Sequence, residues 1–451
     1  MHHQSFIIHG GKPLFGSVRL GGAKNASFKL MIASLLAKGE TRLLNFSHIK
    51  DVEITREILE ELGASTRNAG ERTVFISTQG LHSHVIPEKY GKLSRASILF
   101  LGPLLARFCK AVVPFPGGDQ IGARPIDRHL DGLIALGAKI HRTASTIEAE
   151  CDGRLHGTTY TFEKSTHTGT ETMIMAAVLA EGKTVLNNVA LEPEIDDLIE
   201  FLNNMGAKIQ RHANRVIEIE GVKELTPTIH RIMPDRNEAV SYACAAIATH
   251  GDIIVENARH QHLKAFLDKL DEMGAGYEVG TYGIRFFAKN GLKAVDVVTA
   301  PHPGFMTDWQ PLWAVLLTQT QGKSVIHETV SENRFQYVPL LQNMGAEIRL
   351  FNPEVKKLED VYEFDVSHGP PEGYRAAEIT GVSPLKAGEF TVPDLRAGAT
   401  LVLAGLVARG TTTLHNIEQI DRGYEELDSR LRGMGAEIVR STEIEEKEKT
   451  E

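Results

Sequence analysis

The chain has 451 residues, 42% hydrophobic, 24% charged and only 6% aromatic: enough length for two or three domains with mainly aliphatic cores. Its net charge of −9 argues against nucleic acid as a general partner, and no apolar run reaches the roughly 18 residues of a membrane span. Cys109, Cys151 and Cys244, an odd set with no two close in sequence, argue against a disulfide framework and a cysteine zinc site. The opening MHHQSFIIHGGKPLFG lacks the basic start, apolar run and cleavage site of a signal peptide, so a reducing cytoplasm is the expected location.

In chain order, one pattern returns about every 70 residues. An apolar helix comes first, as in KLMIASLLAKG, MIMAAVLAEG and ATLVLAGLVARG. A turn glycine and an alternating strand follow: GETRLLNF, GKTVLNNV, GDIIVENA, GKSVIHET and GTTTLHNI, with RFCKAVVPFP standing in without the glycine. An amphipathic helix then closes on Leu/Met-Gly-Ala, as in VEITREILEELGA, DRHLDGLIALGA, DDLIEFLNNMGA, LKAFLDKLDEMGA, YVPLLQNMGA and YEELDSRLRGMGA. Its glycine (63, 137, 206, 274, 345 or 435) is placed for a left-handed helix end, and a further strand such as AKIHRTA or AEIRLFN follows. Six such units fill nearly the whole chain. The first helix of each is apolar almost all round, which predicts helices inside and sheets outside. The charged end, residues 441–451, is expected to be disordered.

Several charged residues stand where anion chemistry could use them. Lys24 and Asn25 occupy a Gly-containing turn opening an apolar helix, where a compact charge and free N–H groups suit an anion; a solvated lysine beside an asparagine cap is the alternative. Arg95, Arg124, Arg396 and Arg422 sit beside small residues, where a guanidinium fork can meet phosphate or carboxylate oxygens or form a surface salt bridge. Asp308 precedes WQPLWAVLL and is placed to cap that helix.

The motifs GGAKNA, RASI, PGGDQIGARPIDRH, EPEIDDL, PDRNE, APHPGFMTD, ETVSENRF, DLRAGA and IDRGYE stand in order. With them the chain resembles the UDP-N-acetylglucosamine 1-carboxyvinyltransferases along nearly its full length. The resemblance implies an inside-out α/β barrel fold of two domains, each with three βαβαββ units: residues 22–233, and residues 1–21 with 234–440. It places the active site in a cleft that closes around both substrates. The implied reaction moves the enolpyruvyl group of phosphoenolpyruvate to the sugar 3-hydroxyl, the first committed step of peptidoglycan synthesis. No metal or organic cofactor is implied, and the partners implied are the small-molecule substrates phosphoenolpyruvate and UDP-N-acetylglucosamine.

By the same resemblance Lys24, Asn25, Arg124, Arg396 and Arg422 surround phosphoenolpyruvate. The nucleotide sugar falls to Arg95, Arg124, Pro125, Ile126, Asp127, His167, Thr168, Gly169, Asp308 and the backbone of Val330. Asp308 becomes the base or orienting group for the 3-hydroxyl, Arg334 a further cation, and Asp51 and Glu238 supporting carboxylates. Two departures stand out. The segment KSTHTG (164–169) replaces a Val-Ser-Val-Gly-like diphosphate loop. Asp119 replaces the cysteine that most members use to protonate C3, which implies insensitivity to the epoxide fosfomycin. The same fold also serves 5-enolpyruvylshikimate-3-phosphate synthases, and an inactive sugar-nucleotide-binding regulator is the reading from a different class.

Overall fold

The computed structural model describes residues 2–117, 125–364 and 373–444. The described residues divide into two compact units, one made of those up to Leu20 and from Pro234 onward, the other of those from Gly21 to Met233.

In the unit starting at Gly21, three apolar helices (Lys24–Ala33, Leu101–Phe108 and His167–Ala177) form the interior. Each is followed by the strand that the alternating motif predicts: Glu40–Leu44, Lys110–Pro114 and Lys183–Asn187. Two of the three sheets of this unit share a four-stranded plan, and the third, built on Lys110–Pro114, has three strands with an isolated parallel bridge from Val85 to Val112 in place of the fourth. In the first, Ile229–Arg231 pairs parallel with Glu40–Leu44, which pairs antiparallel with Thr73–Ser77, which pairs antiparallel with Ser65–Asn68. Along Glu40–Leu44 the side chains of Thr41 and Leu43 turn into the core while Glu40 and Arg42 face water, the two-residue period of a half-buried strand.

The other unit repeats the plan around Arg236–Ala248, Gln310–Leu317 and Leu395–Val407. Every residue of the first two helices is buried, as expected of helices apolar on all sides. Truncating a leucine such as Leu316 or Leu401 to alanine in such an interior typically costs about 2–5 kcal/mol. The chain start completes one of these sheets: His2–His9 lies between Thr411–His415 and Glu437–Ile444, antiparallel to both. That pairing corrects the expectation for the chain end, since the last strand runs on to Ile444; residues 445–451 lie outside the described residues.

The six Leu/Met-Gly-Ala glycines all adopt positive φ, from 81° at Gly274 to 102° at Gly206, so the helix-end reading holds throughout. Where RFCKAVVPFP lacks the turn glycine, Cys109 takes the left-handed conformation instead, at φ 55°. One corrected point concerns the cysteines. Cys109 and Cys151 are distant in sequence but neighbours across the strand pair: Cys151 N–H donates to Cys109 O at 2.9 Å, and both thiols donate to Gly153 O, at 2.8 and 3.2 Å. Both are free thiols, and burial and the second sulfur raise Cys151 to about 12.

Among the described residues no helix is long and apolar enough to cross a membrane.

Candidate active site

Each unit carries a polar cluster at the N-terminal ends of its inner helices. In the Gly21–Met233 unit, GGAKNA forms the entry to the first helix. Gly22 backs so closely onto the Asn45 carbonyl that a Cβ there would lie 2.2 Å from it, which explains the second glycine of the motif. Ser47 Oγ donates to Gly22 O at 2.7 Å and holds the turn. Lys24 and Asn25 are the first two helical residues, with Ala23 at the cap, so Asn25 is not the N-cap. Lys24 Nζ lies 2.8 Å from Asp51 Oδ2, and both side chains are about nine-tenths buried. Asp51 is thus a supporting carboxylate in the literal sense of holding this lysine.

KSTHTG, expected as a loop, starts a helix. Thr166 caps it by accepting from Gly169 N–H at 3.3 Å, and His167, Thr168 and Gly169 form its first turn. Behind this turn lies a buried charge cluster absent from the sequence reading. Lys29 Nζ stands 2.7 Å from both Glu171 oxygens, in hydrogen-bond geometry with Oε1, and 3.0 Å from His167 Nε2. Beside it His129 bridges Thr172 Oγ1 at 2.9 Å and Thr168 Oγ1 at 3.0 Å. That bridge ties helix Asp127–Ala135, and the Pro125-Ile126 turn before it, to the same helix start. Ile126 is buried, Pro125 is exposed, and Asp127 pairs with Arg142 at 2.6 Å on the surface. Arg95, capped into a short helix by Ser94, is half-buried near His129.

Burial, followed by the charges of Arg95, Arg128 and Lys29, depresses His129 to about 3. Its ring is neutral in the folded protein at neutral pH, while the unfolded ring takes a proton near pH 6.5. A depressed histidine costs no stability above that value, and stability falls as the pH drops from there toward the folded value. Between pH 7 and pH 5 the loss is roughly 2 kcal/mol from this residue. The ring resonances of His129 should therefore show no titration from pH 8 to pH 5 by NMR; a midpoint near 6.5 would contradict its burial among cations.

In the other unit the cluster centres on Asp308. One of its oxygens meets Arg334 Nη2 and the other lies 3.4 Å from Arg396 Nη2. It does not cap the following helix: that helix runs Gln310–Leu317 behind Trp309, without a side-chain cap. The carboxylate is drawn to the two guanidinium groups instead, because a charged pair outweighs a neutral N–H. Arg396 is the second residue of helix Leu395–Val407, which Asp394 caps by accepting from Arg396 N–H at 2.8 Å and Ala397 N–H at 3.0 Å. Burial opposes the charge of Arg396, but Asp308, Tyr424 and Asp235 together raise its pKa and hold it protonated. Its Nη1 donates to Tyr424 Oη at 3.2 Å, and that hydroxyl lies 2.7 Å from Ser241 Oγ. A small cavity lined by Pro311, Asn333, Arg334, Asp394 and Arg396 adjoins the cluster.

Other sequence candidates of this unit have partners of their own. Arg422 follows the short helix Glu418–Asp421 and donates to Gln419 Oε1 at 3.4 Å. Glu238 pairs with Arg430 at 2.9 Å, so it supports a cation not singled out from sequence. Val330 N–H donates to Glu328 Oε1 at 2.9 Å, so a backbone contact from this residue to a ligand falls to its carbonyl. Asp119 and Arg124 lie outside the described residues.

Glu328 is a further residue that sequence reasoning missed. Its carboxylate accepts from Thr299 Oγ1, Thr307 Oγ1, Val330 N–H and Ser331 N–H, all at 2.9 Å, and burial raises its pKa. It thereby joins the residue before Asp308 to Val330. A signal existed. The strand motif ends in asparagine at 45, 188, 257 and 416, each with positive φ, and only the fifth copy puts glutamate there. Asn45, Asn188 and Asn416 each donate to a carbonyl on the neighbouring strand segment, at 3.1, 2.9 and 2.8 Å.

The fold is that of the enolpyruvyl transferases. It superposes on the enolpyruvyl transferase NikO of Streptomyces tendae with a TM-score of 0.84 at 24% identity, over 98% of this chain and 100% of the other. An EPSP synthase of Acinetobacter baumannii matches at 0.72 and 20% identity, over 97% of this chain and 100% of that one. Residues 8–431 match the family model of EPSP synthase (3-phosphoshikimate 1-carboxyvinyltransferase). Among curated relatives, the UDP-N-acetylglucosamine 1-carboxyvinyltransferase of Desulforapulum autotrophicum is 43% identical over 433 residues, covering 96% of this chain and 98% of the relative. That of Sorangium cellulosum is 44% identical over 443 residues, covering 97% and 98%. The chain belongs to the UDP-N-acetylglucosamine 1-carboxyvinyltransferase family.

Proposed function

We propose that this enzyme transfers the enolpyruvyl group of phosphoenolpyruvate to the 3-hydroxyl of UDP-N-acetylglucosamine and releases phosphate, the entry step to peptidoglycan. In the addition half, the sugar oxygen bonds to C2, C3 takes a proton and the hydroxyl proton leaves. In the elimination half, C3 returns a proton and the C2–phosphate bond breaks, restoring the double bond. Both halves need fixed cations around the phosphate and carboxylate, and groups that move a proton at the hydroxyl and at C3.

The observation that carries this reading is the Asp308 carboxylate set between Arg334 and Arg396, the latter in the first turn of a capped inner helix. A carboxylate so placed is a proton acceptor beside cations that can hold an anionic substrate. Lys24, Asn25, Arg124, Arg396 and Arg422 take the phosphoenolpyruvate role. Arg95, Pro125, Ile126, Asp127, His167, Thr168, Gly169 and the Val330 carbonyl take the nucleotide sugar, with Asp119 as the donor to C3. Having no thiol at residue 119, the enzyme should resist fosfomycin.

Phosphate release tests the assignment. It should require UDP-N-acetylglucosamine with phosphoenolpyruvate, and none should appear with shikimate 3-phosphate. Release only with shikimate 3-phosphate would transfer the chain to the other chemistry, and binding of the sugar nucleotide without turnover would favour a regulator.

A further inference from the structure

A lysine and a glutamate inside an otherwise aliphatic helical core call for a reason. Lys29 is 3% exposed and Glu171 fully buried, and each extends from an inner helix whose first turn carries proposed substrate contacts: Lys24 on one, His167 to Gly169 on the other. A buried ion pair of this kind commonly adds no stability over well-packed apolar residues of the same volume, so packing alone does not account for it. What the pair does touch is His167, whose side chain is 23% exposed.

The contacts fix the proton of that ring. Lys29 Nζ has only hydrogens to offer, and it lies 3.0 Å from His167 Nε2. Its partner Glu171, at 2.7 Å, keeps the ammonium charged. A hydrogen on Nε2 would face that ammonium, donor against donor. Glu171 Oε1, 3.2 Å from Nε2, is the weaker competitor because it already accepts from Lys29. Nε2 is therefore the acceptor, and a neutral ring then carries its hydrogen on Nδ1. Among the described residues nothing takes Nδ1. A partly exposed N–H in the first turn of a helix, beside that turn's own amides, suits an anionic oxygen.

We propose that Lys29 and Glu171 are positioning residues that hold His167 as an Nδ1–H donor to the diphosphate of the sugar nucleotide, setting affinity for that substrate and leaving phosphoenolpyruvate unaffected. This rests on the function proposed above.

Kinetics of the intact enzyme provide the test. Lys29→Met/Glu171→Leu removes both charges at once and preserves packing. It should keep its thermal midpoint within a few degrees, raise KM for UDP-N-acetylglucosamine about tenfold, and change kcat and the phosphoenolpyruvate KM by less than about twofold. His167→Gln, whose amide reaches the Nε2 position instead, should match the double variant, and His167→Asn, whose amide reproduces the Nδ1 donor, should lose clearly less sugar-nucleotide affinity than His167→Gln. Added to His167→Asn, the Lys29/Glu171 change should have no further effect, because the donor no longer depends on a tautomer. Nitrogen NMR of the parent should show the hydrogen on Nδ1. An unchanged sugar-nucleotide KM in a folded double variant, equal losses in both KM values, or a hydrogen on Nε2 would each overturn the proposal. A parent enzyme that releases no phosphate with the two substrates would instead defeat the underlying function.

Discussion

Asp308→Asn should lower kcat by about 10²- to 10⁴-fold, the range expected when a positioned proton acceptor is lost. The substitution keeps the shape of the side chain and removes its charge. Arg334 and Arg396 then lose the anion between them, and Arg396 keeps Tyr424 as a neutral partner. Complete loss of a buried partner costs about 3–5 kcal/mol, but Asp308 is 23% exposed, so water offsets much of this and roughly 1–2 kcal/mol is expected. The variant should therefore remain folded, and its thermal midpoint should fall by only a few degrees. Two roles for the carboxylate are separable. A base leaves its mark on kcat and on the acid limb of the pH–rate profile, which should disappear in the variant. A mere counter-ion for the arginines would instead raise the phosphoenolpyruvate KM and leave that limb intact. Near wild-type kcat in a folded Asp308→Asn would remove Asp308 from the proton-accepting role.

The second large effect is expected at Asp119, where chemistry alone supports the expectation, since the residue lies outside those described. Asp119→Asn should abolish most turnover, again by about 10²-fold or more, because an amide cannot give a proton to C3. Asp119→Cys should keep activity and become sensitive to fosfomycin. A thiol, with a reference pKa near 8.5, is mostly protonated at neutral pH, whereas an aspartic acid near 3.9 is not. Half protonation of Asp119 at pH 7 needs an upward shift of roughly three units, or about 4 kcal/mol. The cations proposed around phosphoenolpyruvate oppose that shift. Exclusion of water and the negative charge of the bound substrates must supply it. The parent enzyme should accordingly gain rate as the pH falls, until Asp308 loses its charge. Rapid covalent labelling of the parent by fosfomycin, or unimpaired turnover in Asp119→Asn, would rule Asp119 out as the donor.

Much of the architecture was legible from residue order. The strand motifs at 40–44, 183–187, 252–256, 322–327 and 411–415 and the glycines ending the amphipathic helices are local signals, fixed by side-chain alternation and by the backbone freedom of glycine. The inward position of helices such as Arg236–Ala248 follows from an apolar surface with no face to give to water. Motif order was likewise enough to indicate the family.

Pairing at a distance was not legible. Sequence placed Asp308 where it could cap a helix; the fold brought Arg334 and Arg396 to it, and a full charge in a sheltered place prefers guanidinium to an amide. Lys29 and Glu171, 142 residues apart, carry no sequence signal of pairing, and two inner helices put them 2.7 Å from one another. Cys109 and Cys151 became neighbours only through strand register. Local composition determines which elements form and which face they bury, because those choices depend on near neighbours and water. Which charges meet, and hence which side chains can move a proton or hold an anion, depends on positions set by the whole packed core, and only the tertiary structure decided it.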